Sequence, residues 1–335
     1  MELKKFINYI EKCCSIANDL KLELIFSIHQ TTNFSNINPY TLPPRKSKKI
    51  LLCGICNLGQ EEILELASLF QKKIDYFLVD LEKKGIIGTN EKTSKLLTGN
   101  LEGRLKEIIN KKKIIGIRYD ALTSEHVINL IIKLNPFLYK TKIGIIGLGK
   151  IGFKIAISLL ECGNNIEIYT RDYEALYKKC TCMDLIKPES TYARPIPHRS
   201  LEACIHQKDI IILATTSQNI INEKLVSIIK PKSVIYSIGH GEISPVALKK
   251  LKERPDIKIC RIDIGLSLMK YVERLVFDKE IIPKVKQINK GRIISGGFLG
   301  MPGDIVVDDV DDPGLIYGYI SNKNIFIRDI KKYND

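Results

Sequence analysis

Apolar positions along the chain recur first at one period and then at another, and this alternation sets the fold class. Leu3, Phe6, Ile7, Ile10, Cys14 and Ile16 recur at helical spacing, so residues 1 to 20 read as an amphipathic helix. Residues 30 to 47, with Asn33, Ser35, Asn36, Asn38, Pro39, Pro43 and Pro44, read as a loop. Next come a strand at Lys49 to Cys53, a helix at Glu61 to Lys73 and a strand at Ile74 to Asp80. A turn at Lys83-Lys84-Gly85, a helix at Leu101 to Asn110 and a strand at Ile114 to Arg118 follow. This alternation predicts a small parallel α/β domain, and Glu125 to Leu134 reads as a helix leading out of it.

The next strand, Ile143 to Ile146, is short and β-branched, as a strand buried on both faces requires. It runs straight into Gly147-x-Gly149-x-x-Gly152. Phe153, Ala156, Leu159 and Leu160 continue at helical spacing until Gly163, and Ile166 to Thr170 reads as a second strand. This is a β-α-β unit of about 30 residues with glycines at its first turn. Gly147 permits the tight turn, Gly149 a close approach of backbone to a pyrophosphate, and Gly152 close helix–strand packing. Lys150 and Ile151 open the helix, whose free N–H groups and partial positive charge point at the phosphates. The unit therefore predicts dinucleotide binding.

The end of the second strand narrows the cofactor. An NAD site places Asp or Glu there to bond the adenosine ribose, whereas this chain has Thr170 followed by Arg171. A hydroxyl and a guanidinium suit a 2′-phosphate, so the expectation is NADP ahead of NAD; the alternative gives Asp172 the acidic role one position late. Downstream, Pro188 to His198 reads as a proline-punctuated loop and Asp209 to Ala214 as a buried strand ending in Thr215-Thr216-Ser217. Val234 to Ser237 opens into Gly239-His240-Gly241-Glu242, and Ile257 to Asp263 is a further strand. Ala214, Thr215, Thr216 and Gly239 fall beyond strand carboxyl ends, where open α/β sheets bind ligands. The last segment, Gly296 to Asp335, is rich in glycine and acids and offers one short strand at Ile325 to Ile327.

Composition changes this picture little. A length of 335 residues fits two domains, and no apolar run is long enough to span a membrane. The N-terminus lacks the apolar core and cleavage site of a secretory signal, so the expected compartment is the cytoplasm. The net charge of +14 comes from scattered lysines interleaved with acids, the longest run being Lys111 to Lys113. It reads as a solubilising surface that attracts anionic ligands, not as a nucleic-acid site. Nine cysteines, an odd number, predict reduced thiols. Cys53-Gly-Ile-Cys56 has redox or metal spacing but no second pair at zinc-ribbon distance. It reads as two buried small residues at a strand end, and Cys180-Thr-Cys182 reads the same way; no metal site is expected.

Several pieces together resemble the cofactor domain of the D-specific 2-hydroxyacid dehydrogenases. They are Gly144-Ile-Ile-Gly-Leu-Gly-Lys-Ile-Gly152, Ser200-Leu201-Glu202 before Asp209-Ile-Ile, Glu223-Lys-Leu, Ile229-Lys-Pro231, Val234-Ile235 and Ala247-Leu248. The resemblance covers roughly residues 140 to 300 and implies a doubly wound parallel-sheet Rossmann domain beside a smaller flavodoxin-like α/β domain. It implies boundaries at 1–138 for a substrate domain and 139–300 for the dinucleotide domain, with a tail, 301–335, returning to the first. It also implies a substrate cleft between the two domains and a place for Asp263 beside the nicotinamide.

By the same resemblance the family's substrate-binding arginine falls at Gly239, its catalytic histidine near Gly297 and its orienting glutamate near Ser267, so none is retained. The nearest replacement is His240, in a Gly-His-Gly loop at a strand end; that loop is similar to the Gly-His loop of the S-adenosylhomocysteine hydrolases. An imidazole there could pass a proton to a developing alkoxide or amine, or serve only to touch the cofactor. His29, His126, His198 and His206 lack comparable settings, while Asp80, Tyr76 and Tyr119 are placed at strand ends facing the cleft. The sequence thus predicts an NADP-dependent oxidoreductase, expected as a homodimer, moving hydride to or from a carbonyl or imine carbon of a small molecule. Two rivals are a non-catalytic NAD(P)-binding sensor and an NAD-assisted hydrolase or lyase.

Overall fold

The computed structural model describes residues 2–29, 38–81, 85–90, 95–277, 284–289 and 291–333. The chain divides into two compact units, 1–269 and 270–335. The turn expected at residues 83 to 85 and the first part of the loop expected at 30 to 47 lie largely outside the described residues.

The first unit begins with α1 (Glu2–Leu20), whose Phe6, Ile10, Cys13 and Ala17 are buried against a sheet. Then come β1 (Glu23–His29), β2 (Tyr40–Lys46), β3 (Ile50–Cys56), α2 (Gln60–Phe70) and β4 (Tyr76–Asp80). The hairpin of β5 (Gly85–Asn90) and β6 (Lys95–Gly99) precedes α3 (Leu101–Ile108), β7 (Ile114–Ile117) and α4 (Tyr119–Leu134). The sheet order is β2-β3-β1-β4-β7, parallel throughout except for β2 against β3. Counted among themselves, the parallel strands run 2-1-3-4, the start of the flavodoxin-like order. The sheet centres on β1, which the sequence does not reveal, its apolar run being broken by Ser27.

β2 occupies part of the loop expected at 30 to 47. Its Pro43 and Pro44 fall where the register shifts between Leu42 and Arg45, so the missing N–H groups cost no ladder bond.

The second sheet comprises β8 (Ile143–Ile146), β9 (Ile166–Tyr169), β10 (Pro195–His198), β11 (Ile210–Leu213), β12 (Val234–Ser237) and β13 (Lys258–Arg261). Helices α5 (Lys150–Glu161), α6 (Tyr173–Ile186), α7 (Leu201–Ile205), α8 (Glu223–Val226) and α9 (Pro245–Lys252) alternate with these strands, and α10 (Gly265–Phe277) follows them. The order is β10-β9-β8-β11-β12-β13 and every pair is parallel. This is the doubly wound 3-2-1-4-5-6 arrangement, and the order reverses beside β8. Its two faces carry separate cores, one around Ile145, Ile168 and Ile212, the other around Ile146, Ile211 and Leu213. β10 takes residues expected as loop; it is an edge strand, so Pro195 and Pro197 are tolerated.

The second unit holds β14 (Val285–Ile288), β15 (Gly291–Ser295), β16 (Ile305–Val307), β17 (Leu315–Ile320) and β18 (Phe326–Lys332) in one sheet in that order. Only β15 and β16 pair in parallel. The sequence had offered a single short strand after Gly296. No helix among the described residues is long and apolar enough to cross a membrane.

Candidate functional site

The glycine turn is held by contacts that leave no room for side chains. Gly147 has φ of +96°, and a Cβ there would lie 2.5 Å from the Ala214 carbonyl oxygen at the end of β11. A Cβ at Gly152 would lie 2.2 Å from the Gly147 carbonyl oxygen. Gly149 is different: it caps α5 at the N-terminus without a side-chain bond, and a Cβ there meets nothing within 4 Å. The turn is therefore packed shut behind and open in front, at the end of α5 where free N–H groups gather. Lys150 is exposed and Ile151 half-buried at the first turn of α5. That open cradle beside the strand-order reversal fits a diphosphate.

At the end of β9, the Thr170 hydroxyl donates to the Asp172 carbonyl oxygen at 2.8 Å. The Asp172 carboxylate accepts from the Ala175 amide at 2.9 Å and so caps α6. Asp172 is thus already committed to its helix, and Arg171 beside it is exposed.

The ends of β11 and β12 meet over Glu242, a residue whose role the sequence did not reveal. Its side chain is buried, at 1% exposure. It accepts from the Ser237 hydroxyl at 2.6 Å and from the Thr215 amide at 3.3 Å, with further bonds from the Ile238 and Gly239 amides. Burial pushes its carboxyl up to about 7 against the pull of those donors. Gly239 lies between the two loops: a Cβ there would be 2.8 Å from the Thr215 carbonyl oxygen and 2.9 Å from Glu242 Oε1. A lone acid in a glycine-rich loop after a buried strand was the one available signal. Thr215 Oγ1 also accepts from the Ser217 amide at 3.1 Å. Gly147, Ala214, Thr215 and Gly239 therefore adjoin one another.

His240 is exposed, and Arg261 at the end of β13 donates from Nη2 to its Nδ1 at 2.6 Å. Partial burial and the Arg261 charge lower its pKa, and Arg261 Nη2 faces both ring nitrogens, lying 3.2 Å from Nε2 as well. Asp263, further along this edge, pairs with Arg45 of β2 and accepts from the Gly265 amide at 2.9 Å. The other histidines have local partners. His198 pairs with Glu167 at 2.6 Å and His126 bonds Ser267 at 2.7 Å. His206 caps α7 through its backbone amide.

Across from these, the Ser27 hydroxyl at the end of β1 bridges His29 Nε2 at 2.8 Å and the Tyr119 hydroxyl at 2.6 Å. Asp80 ends β4 as expected and raises the Tyr119 hydroxyl further beyond the effect of its burial. Tyr76, by contrast, opens β4 and stands at the opposite end of the sheet. Cys53 and Cys56 lie within β3, not beyond it; an odd separation turns their side chains to opposite faces, where they cannot close a disulfide or chelate. Cys180 is buried and Cys182 exposed on α6. Among the described residues no cluster of His, Cys, Asp or Glu could hold a metal ion. A cavity of about 470 Å³ lined by Glu161, Cys162, Asn165 and Tyr192 lies by the start of β9, at the far end of the strands from the glycine turn.

The glycine turn on this strand order defines the class of protein, a Rossmann-type NAD(P)-binding chain. Residues 130–237 match the family model described as Shikimate / quinate 5-dehydrogenase. No curated protein sequence matches the chain.

Among solved structures, the D-isomer specific 2-hydroxyacid dehydrogenase of Lactobacillus delbrueckii ssp. bulgaricus in its NAD-complexed form is similar at 13% identity. That match covers 63% of this chain and 65% of that one, with a TM-score of 0.35. Dipicolinate synthase A chain from Bacillus subtilis is similar at 16% identity over 76% of this chain and 96% of that one, TM-score 0.37. L-tryptophan dehydrogenase from Nostoc punctiforme is similar at 10% identity over 72% and 70%, TM-score 0.42. The chain thus spans just under two thirds of that 2-hydroxyacid dehydrogenase.

Proposed function

We propose that the chain is an NADP-dependent oxidoreductase acting on a carbonyl or imine carbon of a small metabolite held between the N-terminal sheet and the cofactor sheet. The observation that carries this reading is the cradle at Gly149, open to a diphosphate and closed behind by Gly147 and Gly152. Preference for NADP is supported by Arg171, exposed where a 2′-phosphate falls, and by the commitment of Asp172 to its helix cap. NADPH, when bound, supplies the hydride. The chain supplies orientation through the α5 end, and His240, which as imidazolium gives one proton to the developing alkoxide or amine and returns to the neutral ring. Arg261 lies against the ring, 2.6 Å from Nδ1 and 3.2 Å from Nε2, and by lowering its pKa makes it the readier proton donor. We also propose a homodimer, which light scattering would check.

The test is a binding and turnover comparison. The full chain should quench or enhance NADPH fluorescence at least tenfold more tightly than NADH. It should also reduce NADP+ with shikimate or quinate, or oxidise NADPH with a panel of small carbonyls and imines. Thr170→Asp with Arg171→Ser should move preference toward NADH by an order of magnitude or more; an unchanged ratio removes the NADP assignment. Absence of binding to either nucleotide removes the reading itself.

A further inference from the structure

Arg171 is not the only cation where β9 ends. β9 and β10 run parallel with His198 beside Tyr169, so Thr170 and Arg199 leave the sheet side by side at its carboxyl edge. Asp172 then caps α6, whose first residue is Tyr173. The Arg199 guanidinium carbon lies over the Tyr173 ring, 3.9 Å from its centre. This cation–π contact seats a side chain that otherwise spreads over many rotamers.

Among the described residues no protein acceptor takes the N–H groups of Arg171 or Arg199. The neighbouring acids do not neutralise them. Glu167 of β9 pairs with His198 and Lys208, and the Asp172 carboxylate accepts from the Ala175 amide. Glu174 and Glu202, exposed on the first turns of α6 and α7, form no ion pair among the described residues. Two guanidinium groups at neighbouring strand ends, without a carboxylate between them, repel each other. One phosphate between them turns that repulsion into attraction and takes charge-assisted hydrogen bonds from both.

We propose that Arg199 is a specificity-determining residue of the cofactor site. Seated on Tyr173, it meets the 2′-phosphate of NADP from the β10 side while Arg171 meets it from the β9 side. Tyr173 is the positioning residue that aims it. Arg199 belongs to no motif, and only the strand register brings it to this edge. This inference rests on the reading of the glycine turn as a nicotinamide nucleotide site.

The test is calorimetric titration of the full chain with adenosine 2′,5′-bisphosphate and with 5′-AMP, which differ only in the 2′-phosphate. The wild-type should bind the bisphosphate about tenfold or more tightly than 5′-AMP. Arg199→Ser should weaken the bisphosphate about tenfold and leave 5′-AMP within about twofold, and Arg199→Lys, which keeps the charge without the fork, should recover part of the loss. Tyr173→Leu should weaken the bisphosphate while Arg199 is still present. A bisphosphate affinity unchanged in Arg199→Ser overturns the proposal and leaves the cofactor reading standing. An equal loss for 5′-AMP also overturns it, because the residue then supports the fold and not the 2′-phosphate. Binding of neither probe by the wild-type overturns it too, and NADPH titration judges the cofactor reading apart from it. The expected pattern in a chain that binds neither NADPH nor NADH supports the two-arginine seat and overturns the oxidoreductase reading alone.

Discussion

Gly149 and Gly152 sit on one turn, yet their substitution should fail in opposite ways. A methyl at Gly149 meets no protein atom and adopts an ordinary backbone, so the fold should keep its melting temperature. The methyl would occupy the space reserved for the diphosphate, and Gly149→Ala should weaken NADPH binding about tenfold or more, read by fluorescence titration. At Gly152 the same methyl would press on the Gly147 carbonyl oxygen, so Gly152→Ala should cost on the order of 1–3 kcal/mol of stability, read by denaturant unfolding. Glu242 gives a stability prediction with a definite sign. Its folded pKa, about 7, lies above the ordinary value, so between about pH 4.5 and 7 the folded chain keeps a proton that the unfolded chain has lost. This component of stability is complete below that window and is lost as pH rises through it. Glu242→Gln should flatten that part of the pH–melting profile, and a profile identical to the wild-type would contradict the burial of this carboxyl.

At the level of elements, the parts legible in the sequence were those whose pattern is local. The β-α-β unit announced itself because its glycines, its helical spacing and its two apolar runs all lie within a short window. β1 and β2 did not, since a strand in mid-sheet and a strand with two prolines become intelligible only through their neighbours. β2 and β10 make the same point: proline signalled a break, and both segments turned out to be sheet edges. At Cys53 and Cys56, which the sequence reads as two buried small residues, spacing is not proximity, because extension sends the two buried thiols to opposite faces. Thiol labelling checks this. Cys162 and Cys182 are exposed and should react with a disulfide reagent within minutes, with half-buried Cys260 slower. Cys53 and Cys56 should react only on unfolding, and Cys53→Ser with Cys56→Ser should leave NADPH affinity within about twofold of wild-type.

At the scale of the whole molecule, glycine chemistry could be read from sequence while side-chain convergence could not. Glu242 and Thr215, or Arg261 and His240, lie far apart in sequence and meet only because parallel strands bring their carboxyl ends to one edge. The last unit was illegible for another reason. Its strands are short and interrupted by glycine, and its core is small, centred on Ile293, Val307 and Val310. The cores described beneath the two α/β sheets draw on residues up to Ile262, and among the described residues no strand of the second unit joins either sheet. The residues placed at the cofactor crevice, from Gly147 to Asp263, belong to the first unit. A chain ended after Phe277, which keeps α10 whole, should therefore remain folded and bind NADPH within about threefold of the full-length protein. The check is calorimetric titration beside a melting curve, and loss of binding by a fragment that still melts cooperatively would mean that the second unit contributes to the cofactor site.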